Sequence, residues 1–167
     1  MDFAYLFPFA PEVGYLSLAL VNFFGSLVPF VPLPGFLLLA TMSVGDTFHL
    51  HVLALVSAIT ATAAKQIIFF VSSRGRKIIS EKTRKRMRPF ERLVKKYGAA
   101  AAFVAAATPI PDDIIFVPLG LAKYNPKRFF IATLAGKIVL SYVIVFVSHY
   151  LGLSLLEPLV ATIDDAT

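Results

Sequence analysis

Residues 98–122 read GAAAAFVAAATPIPDDIIFVPLGLA, and the way this stretch meets a bilayer decides the fold. It is apolar enough for hydrocarbon, yet Pro109 and Pro111 interrupt it and Asp112 and Asp113 follow at once. Proline lacks a backbone donor and clashes with the preceding turn, so a helix stops here. Both flanks are basic: eleven Lys and Arg residues lie between Arg74 and Lys96, and Lys123, Lys127 and Arg128 follow on the other side. Basic residues near membrane spans stay on the cytoplasmic side. A straight crossing would strand the last three outside. A segment that enters, bends at Thr108-Pro109-Ile110-Pro111 and returns keeps all fourteen together. Residues 98–122 therefore read as a re-entrant helical hairpin. Irregular backbone at membrane depth survives only against protein or a wet cavity, which makes the bend a candidate site.

Composition demands the membrane. The 167 residues are 57% hydrophobic and 16% charged, with mean hydropathy +0.77. A soluble domain sits near about 45–50% apolar and about 25% charged. The excess cannot be hidden in a core of this size, so the chain reads as one all-α integral membrane domain over 1–167. With no cysteine there is no disulfide, thiolate metal site or cysteine nucleophile.

Moving outward, residues 47–73 and 129–152 each suffice for a transmembrane helix, since a bilayer core takes about 20 apolar residues. Residues 13–45 hold no charge at all, and Pro29, Pro32, Pro34 and Gly35 divide them. That pattern places a first re-entrant hairpin over 22–45, broken at Pro32, Pro34 and Gly35 as the second is at Pro109 and Pro111. Residues 1–20, rich in Phe and Tyr, read as an interfacial segment, and 153–167 as a tail. Between the halves, 74–97 forms a cytoplasmic amphipathic linker, with Pro89 dividing it. Its eleven cations oppose only Glu81 and Glu91. Such a cluster meets anionic lipid headgroups, over Arg74–Lys96, before it meets nucleic acid. The order is hairpin, span, linker, hairpin, span. Each half crosses once, so the second is inverted relative to the first, as in many secondary transporters. Each span carries one lysine, Lys65 and Lys137.

This order resembles the DedA/VTT family, also called SNARE-associated Golgi protein-like. Four pieces carry the resemblance across roughly residues 22–152: Pro32-Leu-Pro34-Gly35, the run FFVSSRGRK from Phe69 to Lys77, the second proline-containing hairpin with Pro118-Leu-Gly120, and Phe129 to Lys137. The resemblance implies facing re-entrant hairpins, a multi-pass cell-membrane location and movement of lipids, including polyprenyl-phosphate carriers, between leaflets. Three positions depart from the family pattern. Phe36 stands where an acid often follows Pro-Gly, Lys65 or Gln66 where an aspartate often precedes Gly-Arg, and Ala106 or Thr108 and Asp112 where arginines often flank the second proline. Taken with the family pairing they imply a charge-swapped pair, Lys65 with Asp112 or Asp113, because an ionisable group in hydrocarbon needs a cavity or a partner.

The candidate substrate-binding residues are Lys65, Thr108, Asp112, Asp113 and Lys137. Asp112 and Asp113 also carry a proton-coupling role. Structural alternatives stand beside these roles: Asp112 follows a proline and is placed to cap the second half-helix, and Lys65 and Lys137 can snorkel toward the interface. His49, His51 and His149 lie near outer span ends, and His49 and His51 lack the i,i+4 spacing of a helical zinc pair, so no metal is expected. No cofactor is expected either.

The function that follows is a flippase- or scramblase-like lipid transporter, moving a phospholipid or polyprenyl-phosphate-type anionic lipid. Broken helices would offer it free amides, and lysines a compensating charge. The alternatives are a small-solute, cation or drug transporter with the same hairpins, and a membrane scaffold using the basic linker. No nucleophile–base pair, metal triad or phosphate-cradling loop marks an enzyme. Homo-oligomerisation is left open by the sequence.

Overall fold

The computed structural model describes residues 11–28, 33–44 and 47–164. These form six helices: α1 (Pro11–Leu27), α2 (Leu33–Ser43), α3 (Leu50–Gly75), α4 (Glu81–Ala107), α5 (Asp113–Leu121) and α6 (Pro126–Asp164). There is no strand among the described residues. Two helices are long and apolar enough to cross a membrane, Leu50–Gly75 and, within α6, Pro126–Gly152.

The local chemistry explains most helix ends. Ser80 caps α4, its hydroxyl accepting from the Thr83 amide at 3.5 Å. Thr108, which precedes a proline, takes extended geometry (φ −109°, ψ 148°) and ends α4. Asn125 caps α6, its side-chain oxygen accepting from the Lys127 and Arg128 amides at 3.0 and 3.1 Å, with Pro126 in the first turn. At the end of α5 the Lys123 amide donates to Gly120 and the Tyr124 amide to Leu119, a Schellman pair of bonds. Lys123 sits at its left-handed position, φ 53°, where glycine is usual.

Helices α3 and α6 run antiparallel through the centre. Phe69 stacks on Phe129 at 4.4 Å near one end, and His51 meets the Tyr142 hydroxyl at 3.2 Å near the other. Helix α1 lies parallel to α3, the Tyr15 hydroxyl accepting from the His49 amide while Asn22 reaches Ser57. Helix α4 lies parallel to α6, with Gly98 against Tyr124 and Gly136 against Phe103 and Ala106. Each short helix crosses to the span of the other half. Ser43 of α2 accepts from His149 of α6, and Gly120 of α5 lies on Phe69 and Ser72 of α3.

Two apolar cores fill the bundle. One gathers Phe69, Val94, Phe116, Leu119 and Phe129; the other Leu18, Leu39, Met42, Leu53 and Val145. The outward faces are apolar as well, with Leu37, Ile59, Val71, Ile131 and Val143 more than half exposed. Helices apolar all round belong in a membrane or a large core, and this chain is too small for the second.

Several boundaries differ from those read in the sequence. Helix α1 starts at Pro11, inside the stretch expected to lie at the interface. Helix α6 continues to Asp164, through most of the expected tail. The linker 74–97 and the first arm of the second hairpin are largely one helix, α4, which runs on through Pro89. The expected division at Pro89 is therefore corrected. The carbonyl of Lys85, which loses its helical donor to Pro89, lies on an exposed stretch where water can serve it. Pro32 lies outside the described residues, as does the side chain of Pro34. Gly35 is not in the break but in the first turn of α2, with an ordinary φ. A Cβ there would collide with Asn22 of α1, so close approach rather than a turn requires the glycine.

Candidate functional site

The break between α4 and α5 lies between the two apolar cores. Along α3, Lys65 falls between Leu53 of one core and Phe69 of the other. Along α6, Lys137 falls between Val145 and Phe129. By helical rise Lys65 is about 15 Å from the end of α3 at Gly75, and Lys137 about 17 Å from the start of α6. Each therefore lies near the middle of its membrane-length helix.

Four charges meet there. The Lys65 ammonium donates to both oxygens of Asp113, at 2.8 and 2.9 Å, and lies 3.1 Å from Asp112 Oδ1. Lys137 Nζ contacts Asp112 Oδ2 at 2.5 Å. Asp112 thus bridges the two lysines, while Asp113 belongs to Lys65. All four residues are buried, at 1–5% exposure. Two cations and two carboxylates cancel, which is what allows the set to leave water: a lone ion would shift its protonation or break the fold, whereas a matched set keeps most of its mutual attraction. On its other side Lys137 faces the ring of Phe36, 5.6 Å from Nζ to the centroid, within cation–π range.

The cluster decides the alternatives that the sequence left open. Asp112 makes no side-chain capping bond and has helical rather than extended backbone (φ −69°, ψ −16°). Its carboxylate goes to the lysines. Snorkelling is likewise replaced by burial and pairing for both Lys65 and Lys137. The structure brings Lys65, Asp112, Asp113 and Lys137 together. It does not bring Thr108, whose hydroxyl donates to Val104 and Ala105 carbonyls at the end of its own helix. Pro109 and Pro111 lie in the non-helical stretch between α4 and α5.

Further buried polar groups surround the cluster. On α6, Thr133 and Ser141 flank Lys137 at one turn on either side, all on one face and all buried. The Thr133 hydroxyl has no partner among the described residues. On α3, Thr62 returns its hydroxyl to Ala58. One turn further from the basic end, the Asn22 amide donates to the Ser57 carbonyl at 2.8 Å, contacts its hydroxyl at 2.7 Å and reaches Thr60 at 3.4 Å. Sequence reasoning missed Asn22. A signal existed, because it is the one carboxamide in the uncharged stretch 13–45. An amide inside hydrocarbon needs a partner.

The basic end closes on the same scaffold. Arg76, beyond α3, pairs with Glu91 of α4 at 2.8 Å and reaches the Leu121 carbonyl at the end of α5 at 3.5 Å. Gln66 approaches the Pro126 carbonyl at the start of α6. The end of α3, the exposed half of α4 and the α5–α6 turn thus share one end of the bundle. Among the described residues no group of three His, Asp or Glu is placed to hold a metal ion.

Comparison with family models places a VTT domain over residues 31–150. Comparison with curated proteins and with solved structures gave no match. The VTT match spans most of the chain, all of α2 to α5 and the membrane-length part of α6, and this chain belongs to the VTT-domain family of DedA/SNARE-associated Golgi proteins.

Proposed function

We propose that this member of the VTT family is a multi-pass membrane transporter that moves an anionic lipid, of the phospholipid or polyprenyl-phosphate type, between leaflets. The observation that carries the reading is the neutral four-charge cluster at mid-depth, built where a broken helix of one half meets the spans of both. In this reading α1–α2 and the far arm of α4 with α5 are re-entrant hairpins entering from opposite faces, and the halves form an inverted repeat. The exchange of contacts supports the repeat. Helix α1 lies along α3 as α4 lies along α6, and α2 crosses to α6 as α5 crosses to α3. Phe36, two residues beyond Pro34, covers Lys137; Asp113, two residues beyond Pro111, holds Lys65. Equivalent positions thus address the lysine of the opposite half.

The cluster suggests the steps. A lipid phosphate that slides in from the bilayer, its tails still in hydrocarbon, needs a cation at mid-depth. Lys137 is the more available, since one carboxylate oxygen and the face of a ring are its neighbours. Asp112 must give way, and it can do so without losing its charge partner because Lys65 holds its other oxygen. Protonation of Asp112 would weaken its hold on Lys137 and favour the exchange, so Asp112 is the proposed proton-coupling carboxylate, with Asp113 as the anchor of Lys65. The basic linker then lies in the cytoplasm against anionic headgroups. A cation or drug carrier fits less well, because both carboxylates that would attract a cation already hold lysines.

The test is leaflet exchange of fluorescent lipids in liposomes carrying the purified protein. Exchange faster than in empty liposomes, and reduced about tenfold or more by Lys137→Met, is the expected outcome, since each lost charge contact at mid-membrane is worth more than about 1.4 kcal/mol. Exchange equal to that of empty liposomes removes the proposal.

A further inference from the structure

Outside the mid-depth cluster, the basic end holds a cavity of about 400 Å³ lined by Arg76, Glu81, Arg84, Lys85, Arg88 and Glu91. Five of the six follow a helical spacing of three and four along one face of α4. The sixth, Arg76, closes the cup from the end of α3. The wall it forms is fixed: Arg76 is half sunk between Glu91 and the Leu121 carbonyl, with the ion-paired side chains only 16% and 20% exposed. The rest of the cup is not internally neutralised. Glu91 is committed to Arg76, and among the described residues Arg84, Lys85 and Arg88 make no ion pair. Four cations face two carboxylates, leaving two positive charges in a space of headgroup size.

We infer that this cup is a discrete binding site for the phosphomonoester headgroup of an anionic lipid. A phosphomonoester carries about −1.5 to −2 and three strong acceptor oxygens. It would neutralise the cup, and its oxygens suit the forked donors of two arginines beside a lysine. A phosphodiester offers one charge and leaves the cup half compensated. A lipid rather than a soluble phosphate is the occupant because the cup stands where α3 leaves its apolar span, and Ile78, in the turn between α3 and α4, presents its apolar side chain outward beside it. The assignment is independent of whether the mid-depth cluster transports anything.

The experiment is native mass spectrometry of the full-length protein in detergent, titrated with phosphatidate or with phosphatidylglycerol. One phosphatidate is expected to be retained, well above phosphatidylglycerol. Arg84→Gln, Lys85→Gln and Arg88→Gln together should weaken phosphatidate binding by about tenfold or more. The charge-matched set Lys82→Gln, Arg86→Gln and Lys95→Gln, on the same helix but outside the cup, should weaken it by less than about threefold. Equal losses from the two sets overturn the site in favour of a diffuse basic face. Displacement of the lipid by glycerol 3-phosphate at equal concentration overturns the lipid assignment and identifies a soluble phosphate. Should the triple variant fail to fold, Glu81→Gln decides: removing that carboxylate should tighten phosphatidate binding several-fold, and unchanged binding counts against the cup.

Discussion

Asp112 shows how one residue can be read two ways by its neighbours in sequence and a third by its neighbours in space. A carboxylate just after a proline and before a helix is a good cap by local rules. Here the lysines of two spans outbid the helix amides. Charge-assisted bonds in a water-poor interior are roughly twice as strong as neutral ones, and the lysines would otherwise be buried alone. The consequence is an asymmetry under mutation. Lys65→Met leaves Asp113 without its bidentate partner and should cost about 3–5 kcal/mol of stability. Lys65→Met combined with Asp113→Asn removes the stranded charge and should recover at least half of that. Denaturant unfolding in detergent measures both, and a double variant no more stable than Lys65→Met would show that the pair is not coupled. A second residue-scale prediction concerns Lys123, held at φ 53° by the Schellman bonds. An L-residue in that region costs about 1–2 kcal/mol relative to glycine, so Lys123→Gly should stabilise by about 1 kcal/mol, visible as a higher unfolding midpoint.

At the scale of elements, the crossings are set by small residues. Gly136 lets α6 approach α4 so closely that a Cβ would stand 2.5 Å from the Phe103 carbonyl oxygen and 2.6 Å from the Ala106 Cβ. Gly120 brings α5 onto α3, where a Cβ would stand 2.7 Å from the Phe69 carbonyl oxygen. Backbone cannot swing aside as a side chain can. Gly136→Ala and Gly120→Ala should each cost about 1–3 kcal/mol. Gly75→Ala, whose Cβ would find only a Leu121 methyl at 3.9 Å, should be close to neutral. Thermal unfolding of the three variants orders them, and a neutral Gly136→Ala would mean that α4 and α6 are not packed as described. The breaks at Thr108–Pro111 and the two spans were legible because proline chemistry and apolar length are local signals. The pairing of Lys65 was legible because its cost forces a partner. The continuity of α4 was not, because tolerance of Pro89 depends on a carbonyl reaching water, a tertiary fact. Nor was the second partner of Asp112. Lys137 is as plausible a snorkelling residue as Lys65 until α6 is placed beside α3.

At the scale of the whole molecule, the arrangement of charge fixes which ends lie together. Arg76 reaches the end of α5 and Gln66 the start of α6, so the eleven basic residues of 74–96 and the three at Lys123, Lys127 and Arg128 occupy one end. His51, Tyr142 and His149 lie toward the other. If α3 and α6 cross the bilayer, the first end faces the cytoplasm, because fourteen cations resist translocation while the opposite end offers almost none. In the proposed topology the α4–α5 segment enters and leaves on the same side, its two ends both held at the basic end and its bend beside Lys65 and Lys137. The absence of native cysteine makes this measurable with single introduced thiols. Thiols replacing Arg86, Lys123 and Arg128 should all react with an impermeant maleimide from the cytoplasmic side alone. A thiol replacing Tyr150, exposed on α6 two turns beyond Tyr142, should react from the opposite side. Labelling of the Arg86 and Arg128 positions from different sides would mean that 98–122 passes straight through the bilayer. The neutral cluster could then not lie where two bends meet, and the lipid path proposed for it would lose its floor.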